Sequence, residues 1–376
     1  MNVTIDYTSA ALQGAGIGRY TRGLVDALIP LLGADDSVTL LFPRGKTLFA
    51  RRNWPDNVRI CRLPLSERYQ TILWHRLRVP APVEWWAGVT DIFHAPNFLL
   101  PPVRQAKTLL TIHDLAFLVR PEYAWPPLRR FLQQAVPRSV ARADHILADS
   151  EATKQDAMRL FGLAAEQVTV VGAGVESRFR PMPTGATAGT QQKYGLEWPF
   201  VLSVSTLEPR KNFVGLVRAF ARARREANLP HHLIIAGSTG WLYEDIFRAV
   251  LDENAGDFIH FPGFVPDADL PALYNLADLF AFPSHYEGFG LPLLEAMACG
   301  TPALASNVSS LPEIAGDAAY LIPAGDDEAL VSALIHLLTN AEARAALSAL
   351  GPTQASRFTW DAAARRLLDA YQALLR

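Results

Sequence analysis

The feature that most constrains the fold is a regular alternation of short apolar runs, rich in Val and Ile, with helical stretches. This pattern specifies a parallel sheet covered by helices on both faces. In the first half of the chain the predicted strands are residues 3–5, 38–42, 58–62, 92–94, 108–112, 145–148 and 168–171. In the second half they are residues 200–204, 232–236, 258–261, 279–282, 302–305 and 319–322.

The pattern begins again after residues 181–190, where Pro, Gly and Thr replace the apolar periodicity. Such a stretch is typical of an interdomain linker, and a chain of 376 residues is long enough for two domains. We therefore predict two α/β domains, each with a doubly wound parallel sheet, at residues 1–180 and 191–357. Helical patterns at 327–349 and 360–375 close the chain, and we expect residues 358–376 to pack back on the first domain.

Composition excludes several classes of protein. Lys plus Arg is 35 and Asp plus Glu is 37, so the net charge of -2 gives no reason to expect nucleic acid as a partner. The two cysteines, Cys61 and Cys299, have no Cys-x-x-Cys spacing, and neither a zinc site nor a disulfide framework is indicated. The first residues do not resemble a signal peptide, and no run approaches the length of a membrane-spanning helix. We expect a cytoplasmic protein.

Charge is nevertheless distributed unevenly along the chain. Residues 1–180 contain 22 Lys plus Arg against 16 Asp plus Glu, whereas residues 181–376 contain 13 against 21. A basic first domain can attract an anionic ligand or the anionic inner face of the plasma membrane. A solvated surface with an accidental asymmetry explains the same numbers, and both interpretations stay open.

Three tryptophans also bear on a membrane contact. Trp74, Trp85 and Trp86 lie near Arg76 and Arg78, and an aromatic and basic stretch suits a membrane interface. Core tryptophans on a helix would give the same pattern. We therefore expect at most a peripheral contact with an anionic membrane.

The richest chemistry lies in Pro283-Ser-His-Tyr-Glu-Gly-Phe-Gly-Leu-Pro-Leu-Leu-Glu-Ala-Met-Ala-Cys-Gly300, which follows a predicted strand and opens a helix. Unpaired N–H groups and the helix dipole at such a turn attract anionic or hydroxyl-rich ligands. Glu287 and Glu295 can both face the crevice at the carboxyl ends of the strands. The alternative is that both are ordinary surface acids, although Glu295 has apolar neighbours and would need a hydrogen-bond partner if buried.

This segment resembles the Glu-x7-Glu signature of the retaining nucleotide-sugar glycosyltransferases of group 1, or family 4, with Glu287 and Glu295 as its two acids. The resemblance extends over nearly the whole chain, and within the family it is similar to bacterial mannosyltransferases that build O-antigen and other surface polysaccharides. The other segments that resemble the family are 14–20, 111–115, 205–212, 236–241 and 261–266.

The resemblance implies a GT-B architecture, an α/β fold in which two doubly wound parallel-sheet domains face each other across a cleft. The first domain would bind the acceptor and the second the nucleotide-sugar donor. Glu295 would bind the ribose hydroxyls, a pairing suited to an acceptor-only carboxylate. Glu287 would hold the sugar hydroxyls and phosphate together with backbone N–H groups. Those N–H groups belong to Gly288, Phe289, Gly290 and Leu291.

Arg210 and Lys211 stand in a loop that leaves a predicted strand. A diphosphate is well matched by such a pair, because Arg offers a planar fork and Lys a point charge. Family members use this pair to hold the donor diphosphate and to offset its charge as it leaves. Without the other matching segments, Arg210 and Lys211 would be interpreted as exposed residues at the start of a helix.

Four further residues of the second domain are assigned to the donor by the resemblance. Some relatives carry an additional arginine where this chain has Ser205 or Thr206, so the phosphate clamp here either lacks that cation or receives one from elsewhere in the chain. Gly237 follows the next strand, and the backbone of Phe264 and Val265 would contact the base.

Gly14, Gly16 and Gly18 follow the first strand. They do not form a dinucleotide fingerprint, because Gly-x-Gly-x-x-Gly would require glycine where the chain has Arg19. The resemblance implies that this loop approaches the donor phosphates or the transferring sugar. An ordinary strand-to-helix turn is the alternative.

His113 ends a predicted strand, a position that projects into the crevice of a parallel sheet. The matching histidine in relatives contacts the donor sugar near the reacting centre, and we expect the same here without assigning a general base. His94 and Asn97, at the end of the preceding strand, are candidate acceptor-side residues. A purely structural histidine is the alternative at position 113.

The sequence therefore predicts a retaining transfer of a hexose from a nucleotide diphosphate sugar to a hydroxyl of a glycan or lipid-linked acceptor. Mannose from GDP-mannose is the first expectation, with UDP sugars as alternatives. No cofactor and no metal are expected, because cations and a helix dipole can offset the diphosphate charge. The rival functions are a nucleotide-sugar epimerase, a phosphorylase, a nicotinamide-dependent oxidoreductase and a non-catalytic sugar-nucleotide binding protein.

Overall fold

The chain folds into two compact units. The computed structural model describes residues 1–14, 16–48, 53–183 and 185–376, so Ala15 of the glycine loop and Thr184 of the predicted linker lie outside it. The first unit comprises Met1–Leu118, Pro127–Gly174 and Thr359–Arg376. The second comprises Val119–Pro126 and Val175–Phe358.

The first unit is built on a parallel sheet of seven strands in the order β3-β2-β1-β4-β5-β6-β7. The strands are β1 Asn2–Asp6, β2 Ser37–Phe42, β3 Val58–Arg62, β4 Ile92–Ala95, β5 Lys107–Ile112, β6 His145–Ala148 and β7 Val168–Val170. The helices are α1 Thr8–Leu12, α2 Ile17–Leu28, α3 Glu67–Gln70, α4 Glu84–Ala87, α5 Ala116–Val119, α6 Pro126–Val140 and α7 Glu151–Phe161. Short 3-10 turns cover Ile29–Leu31, Pro121–Tyr123 and Ala165–Gln167, and a π-helical turn covers Thr71–Arg76.

The second unit has a parallel sheet of six strands in the order β10-β9-β8-β11-β12-β13. The strands are β8 Phe200–Val204, β9 His232–Ala236, β10 Ile259–Gly263, β11 Leu279–Phe282, β12 Ala303–Ser306 and β13 Tyr320–Ile322. The helices are α8 Ala188–Tyr194, α9 Phe213–Glu226, α10 Glu244–Asp252, α11 Leu270–Leu276, α12 Leu291–Ala298, α13 Leu311–Ala315, α14 Asp327–Thr339 and α15 Ala341–Ala355, with a 3-10 turn at Pro209–Lys211. The last helix, α16 Trp360–Leu374, belongs to the first unit.

The predicted fold class is confirmed, since every predicted strand is present and both sheets are parallel. The helical pattern predicted at 327–349 is present as two helices, α14 and α15, which are divided at Asn340. The Oδ1 of Asn340 accepts a hydrogen bond of 3.0 Å from the N–H of Ala343. A side chain that caps a new helix start ends the periodic run there.

The division into units differs from the predicted linker at 181–190. The backbone N–H of Met182 donates to Asn275 Oδ1 at 2.8 Å, and Asn275 donates from Nδ2 to the carbonyl of Arg180 at 3.0 Å. These bonds attach the segment to α11, and α8 already begins at Ala188. The chain from Val175 to Phe358 is therefore part of the second unit.

Helix α16 packs on the first unit through buried contacts. The Tyr371 hydroxyl lies 2.8 Å from His94 Nδ1, and Arg366 donates to the carbonyl of Val171 at 3.0 Å. Trp360 packs edge-on against Tyr20 with ring centroids 5.8 Å apart.

Each sheet has a position where the strand order reverses, between β1 and β4 in the first and between β8 and β11 in the second. In open parallel sheets, ligands bind outside the carboxyl ends of the strands at this position. The topology therefore predicts a site in the second unit formed by the loops that follow Val204 and Phe282.

The tryptophan-rich stretch has two kinds of environment. Trp74 is buried and donates from Nε1 to the carbonyl of Ala81 at 3.0 Å, so it is a core residue. Trp85 is 67% exposed. Across the described part of the chain, no helix is both long enough and apolar enough to cross a membrane.

The packing of α16 can be tested at Gly174. A Cβ at this position would overlap the backbone at Thr359 and Trp360, whereas a Cβ at Gly189 would meet nothing within 4 Å. We expect Gly174→Ala to lower the free energy of unfolding by about 1–3 kcal/mol. Denaturant titration measures the change, with Gly189→Ala as the control. A Gly174→Ala protein as stable as the control would contradict this packing.

Candidate functional site

The loops that follow β8 and β11 bring three charged side chains together. Lys211 Nζ lies 2.6 Å from Glu287 Oε1, and Arg210 NH1 lies 3.1 Å from Glu287 Oε2. Lys211 and Glu287 are only 8% and 6% exposed. Because the two loops meet where the strand order reverses, residues 76 and 77 positions apart in sequence form one cluster.

The cluster keeps Glu287 ionised. Burial alone would raise the pKa of Glu287, but the positive charges of Lys211 and then Arg210 outweigh it and hold the pKa below its ordinary value. Glu287 is therefore not the exposed loop acid that the alternative interpretation required.

Sequence reasoning missed Glu208, the second acid of the cluster. Arg210 donates from Nε to Glu208 Oε1 at 3.0 Å, and its NH2 lies 2.7 Å from the same oxygen. Glu208 is buried. The residues predicted to bind diphosphate as two cations thus form a network in which two carboxylates balance their charge. The signal was present, because Glu208 lies two residues before Arg210 in the same motif.

Two serines fix the backbone of the glycine-containing loop. Ser309 Oγ accepts a hydrogen bond of 2.8 Å from the N–H of Glu287. Ser310 Oγ donates to the carbonyls of Glu287 and Phe289 at 3.0 and 2.9 Å. Gly290, with φ of 105°, forms the N-terminal cap of α12 in a conformation that favours glycine. The loop is held in place where the predicted donor-binding N–H groups of Gly288, Phe289, Gly290 and Leu291 lie.

Glu295 lies on α12 and is only 1% exposed. The hydroxyl of Tyr274, on α11, donates to its Oε2 at 3.0 Å. The expectation that a buried Glu295 needs a hydrogen-bond partner is thus met by a residue that sequence reasoning did not select. Tyr274 gave no local signal, because it lies 21 positions away.

Ser205 and Gly237 lie where two strands end side by side. The N–H of Ser205 donates to the carbonyl of Ala236 at 3.0 Å, and a Cβ at Gly237 would overlap the carbonyl oxygen of Ser205. The close approach of the two backbones therefore accounts for glycine at 237. In the loop after β10, Phe264 is 54% exposed and Val265 is buried.

The segment 119–126 adds residues that the sequence did not place here. The Tyr123 ring stacks on His285 with centroids 4.7 Å apart, and Trp241 donates from Nε1 to the Tyr123 carbonyl at 2.9 Å. The N–H of His285 donates to the carbonyl of Arg210 at 2.8 Å. A short segment from the middle of the first-half sequence thus borders the charged cluster.

In the first unit, the glycine loop is held by a buried arginine. Arg22 donates to the carbonyls of Ala10 and Gln13 at 2.8 and 2.7 Å, and to that of Gly14 at 3.3 Å. Gly16, with φ of 51°, precedes α2. A Cβ at Gly18 would overlap the carbonyl of Gln13. The backbone conformation at Gly16 and the close contact at Gly18 therefore account for glycine at these two positions, independently of any ligand.

His113 lies at the carboxyl end of β5 with both ring nitrogens engaged. Nδ1 lies 2.7 Å from Asp149 Oδ2, and Nε2 lies 2.7 Å from the carbonyl oxygen of Pro96. Sequence reasoning missed Asp149, which stands at the end of β6. The predicted contact of His113 with a donor sugar stays a prediction, and in this conformation neither ring nitrogen is open to a sugar hydroxyl.

The two candidate acceptor residues have internal partners. His94 is buried between the Tyr371 hydroxyl and Thr111 Oγ1, each 2.8 Å from a ring nitrogen. Burial, reinforced by the nearby His113, lowers the pKa of His94 to about 3 and keeps it neutral. Asn97 donates from Nδ2 to Ser9 Oγ at 3.0 Å. In the described part of the chain, no group of three or more His, Cys, Asp or Glu residues is placed to hold a metal ion.

The chain matches known families over both units. Residues 14–179 match the model Glycosyltransferase Family 4, and residues 191–353 match the model Glycosyl transferases group 1. The chain is 35% identical to the O-antigen chain mannosyltransferase B of Escherichia coli, over 75% of its own length and 74% of that protein.

Solved structures agree on the fold. Sucrose-phosphate synthase from Thermosynechococcus elongatus superposes with a TM-score of 0.77 at 23% identity, over 100% of this chain and 99% of that one. Anabaena HepE in complex with UDP and glucose superposes with a TM-score of 0.74 at 18% identity, over 99% of each chain. The chain therefore belongs to the group 1 glycosyltransferases of the GT-B fold, as its motifs predicted.

The ion-pair cluster predicts how stability depends on pH. We expect Glu287→Gln to lower the free energy of unfolding by about 3 kcal/mol at pH 7, because it leaves Lys211 buried without a carboxylate. The folded-state pKa of Glu287 lies below its ordinary value of 4.5, so this stabilisation is complete above about pH 4.5 and is lost as the pH falls through the folded-state pKa.

Denaturant titrations at several pH values measure this difference. The matched control is Glu197→Gln, which changes an exposed acid of the same unit. Equal free energies of unfolding for Glu287→Gln and Glu197→Gln at pH 7 would show that the ion pairs of Glu287 do not stabilise the protein.

Proposed function

We propose that this glycosyltransferase moves mannose from GDP-mannose to a hydroxyl of a glycan or lipid-linked acceptor during surface polysaccharide synthesis. The likeness to an O-antigen chain mannosyltransferase over three quarters of the chain supports mannose as the sugar. The solved complex of HepE with UDP and glucose supports a nucleotide sugar as the donor class.

The observation that carries the proposal is the cluster of Arg210, Lys211 and Glu287 at the strand reversal of the second sheet. The phosphate oxygens of the donor would bind the same two cations that bind Glu287. An ammonium has three N–H donors, so Lys211 can bond to the carboxylate and to a phosphate oxygen together. The two cations then stabilise the charge that develops on the departing diphosphate, which is the largest catalytic term in such sites.

The remaining donor contacts follow from the same loops. Glu287 accepts hydrogen bonds from the sugar hydroxyls, and the fixed loop from Gly288 to Leu291 supplies N–H groups. Glu295, oriented by Tyr274, takes the ribose hydroxyls. The backbone at Phe264 and Val265 contacts the base.

We propose that the first unit binds the acceptor. His94 and Asn97 are its candidate contacts, and Gly14, Gly16, Gly18 and His113 are assigned to the donor phosphates and sugar by family likeness alone.

The transfer assay tests the proposal at Lys211. We expect Lys211→Ala to lower kcat for transfer from GDP-mannose by about 100-fold or more, because it removes a cation that stabilises the leaving diphosphate. The matched control is Lys193→Ala, which removes a lysine of the same unit that is paired with Asp269 at 2.6 Å and is half-exposed. A Lys211→Ala enzyme as fast as the control would remove Lys211 from the site.

The same assay decides the two finer points of the mechanism. We propose retention, in which the leaving phosphate takes the acceptor proton, so an α-linked donor gives an α-linked product by NMR. We also propose that the cations make a metal unnecessary, so activity persists in excess EDTA. A β-linked product would overturn retention, and complete loss of activity in EDTA would overturn metal independence.

We further propose a peripheral contact with an anionic membrane through the exposed residues around Trp85. Leu77 and Val89 are exposed in the same stretch of chain, and Arg76 and Arg78 lie beside Leu77 in sequence. Apolar side chains beside arginines suit the boundary between headgroups and acyl chains.

Vesicle co-sedimentation tests this contact. We expect binding to vesicles that contain phosphatidylglycerol, weakened about tenfold by Trp85→Ser because a large apolar side chain no longer inserts. Trp125→Ser, which changes a half-exposed tryptophan of the second unit, is the control. Equal binding of the two variants would contradict the assignment to Trp85.

A further inference from the structure

The imidazole of His113 faces a hydrogen-bond acceptor at each ring nitrogen, and its side chain is almost wholly buried. The carbonyl oxygen of Pro96, 2.7 Å from Nε2, can only accept a hydrogen bond. Nε2 must therefore carry a proton. The protonation of the ring then depends only on the proton between Nδ1 and Asp149.

The charges around the ring decide where that proton lies. Burial would lower the pKa of His113, but the carboxylate of Asp149 and, more weakly, that of Asp114 outweigh burial and raise it. The other groups that face this pair carry no charge at neutral pH: His94 is neutral, and burial raises the pKa of the Tyr20 and Tyr371 phenols. Burial raises the pKa of Asp149 above its ordinary value, although the charge of His113 opposes this rise. Because the pKa of His113 is raised as well and its ordinary value is the higher of the two, the proton between Nδ1 and Oδ2 lies on Nδ1 and Asp149 is ionised.

Local structure explains why these two residues meet. Strands β5 and β6 are neighbours in the sheet, with Ile112 paired to Ala148 in register. The next residues, His113 and Asp149, therefore leave the sheet side by side. The hydroxyl of Thr153 donates to the carbonyl of His113 at 3.3 Å, which ties the start of α7 to the same residue.

Aromatic side chains hold the ring from two more sides. Tyr20, on the helix that follows the glycine loop, packs edge-on with centroids 4.9 Å apart, and Phe98 packs edge-on at 5.5 Å. A ring with two short hydrogen bonds and two edge-on neighbours has little freedom to turn.

We propose that Asp149 is a positioning residue that holds His113 as a fixed imidazolium donating from both nitrogens. In the proposed transferase, on whose function this inference rests for its catalytic meaning, His113 contributes a fixed positive charge. It cannot accept the proton of the acceptor hydroxyl, because both nitrogens already carry protons.

The wild-type protein provides the first test. Nitrogen-15 NMR of the histidine rings distinguishes protonated from bare nitrogens, and His113→Gln assigns the signals by their disappearance. We expect two protonated nitrogens for His113 at pH 7. One bare nitrogen at that pH would overturn the proposal without any variant having to fold.

The two aspartates that flank β6, Asp144 before it and Asp149 after it, provide the second test. Asp149→Asn keeps an acceptor for Nδ1 but removes the charge, so the midpoint of the His113 titration should fall by about one pH unit or more. The matched control is Asp144→Asn at the other end of β6, where the carboxylate accepts hydrogen bonds from the Thr108 N–H and hydroxyl. An unchanged midpoint in a folded Asp149→Asn protein would overturn the proposal.

Activity separates positioning from a general structural role. If turnover requires the imidazolium, kcat of both enzymes falls as the pH rises and His113 loses a proton. This fall occurs at a lower pH in Asp149→Asn than in the wild type, because the pKa of His113 is lower in the variant. A reduction by the same factor at every pH would contradict the proposal. If the wild type transfers no mannose, the proposed function fails, while the NMR result still decides whether Asp149 holds a charged His113.

Discussion

The second unit depends on one buried carboxylate placed between two cations. Glu287 binds Lys211 and Arg210 at the point where the order of strands reverses, and Arg210 is shared with Glu208. A buried charge is costly unless it is paired, so the loops after β8 and β11 must meet for the unit to be stable. The ion pairs that stabilise this edge of the sheet therefore also bring together the residues that we propose bind the donor diphosphate.

Much of this arrangement follows from sequence. Each strand is a short apolar run, and parallel strands end at one edge, so Arg210, Lys211 and Glu287 are found by asking which polar residues follow strands. The signal at Glu295 was its apolar surroundings, which implied a buried carboxylate with a partner. Both halves of the chain match glycosyltransferase family models.

The parts that sequence did not predict are contacts between separate segments. Asp149 lies 36 positions from His113, and Tyr274 lies 21 positions from Glu295, so no local pattern connects them. The Tyr123 segment belongs to the second unit although its sequence position lies within the first. Such partners are selected by strand register and by the need to pair buried polar groups, and both become visible only when the sheets are assembled.

We propose that this site binds a guanosine diphosphate sugar, and the thermal stability of the protein with different nucleotides is the direct test. A ligand that binds only the folded protein raises the melting temperature by mass action. We expect GDP and GDP-mannose to raise the melting temperature, whereas UDP, UDP-glucose and NAD leave it unchanged. A rise with UDP or NAD but none with GDP would show that the donor is not a guanosine diphosphate sugar.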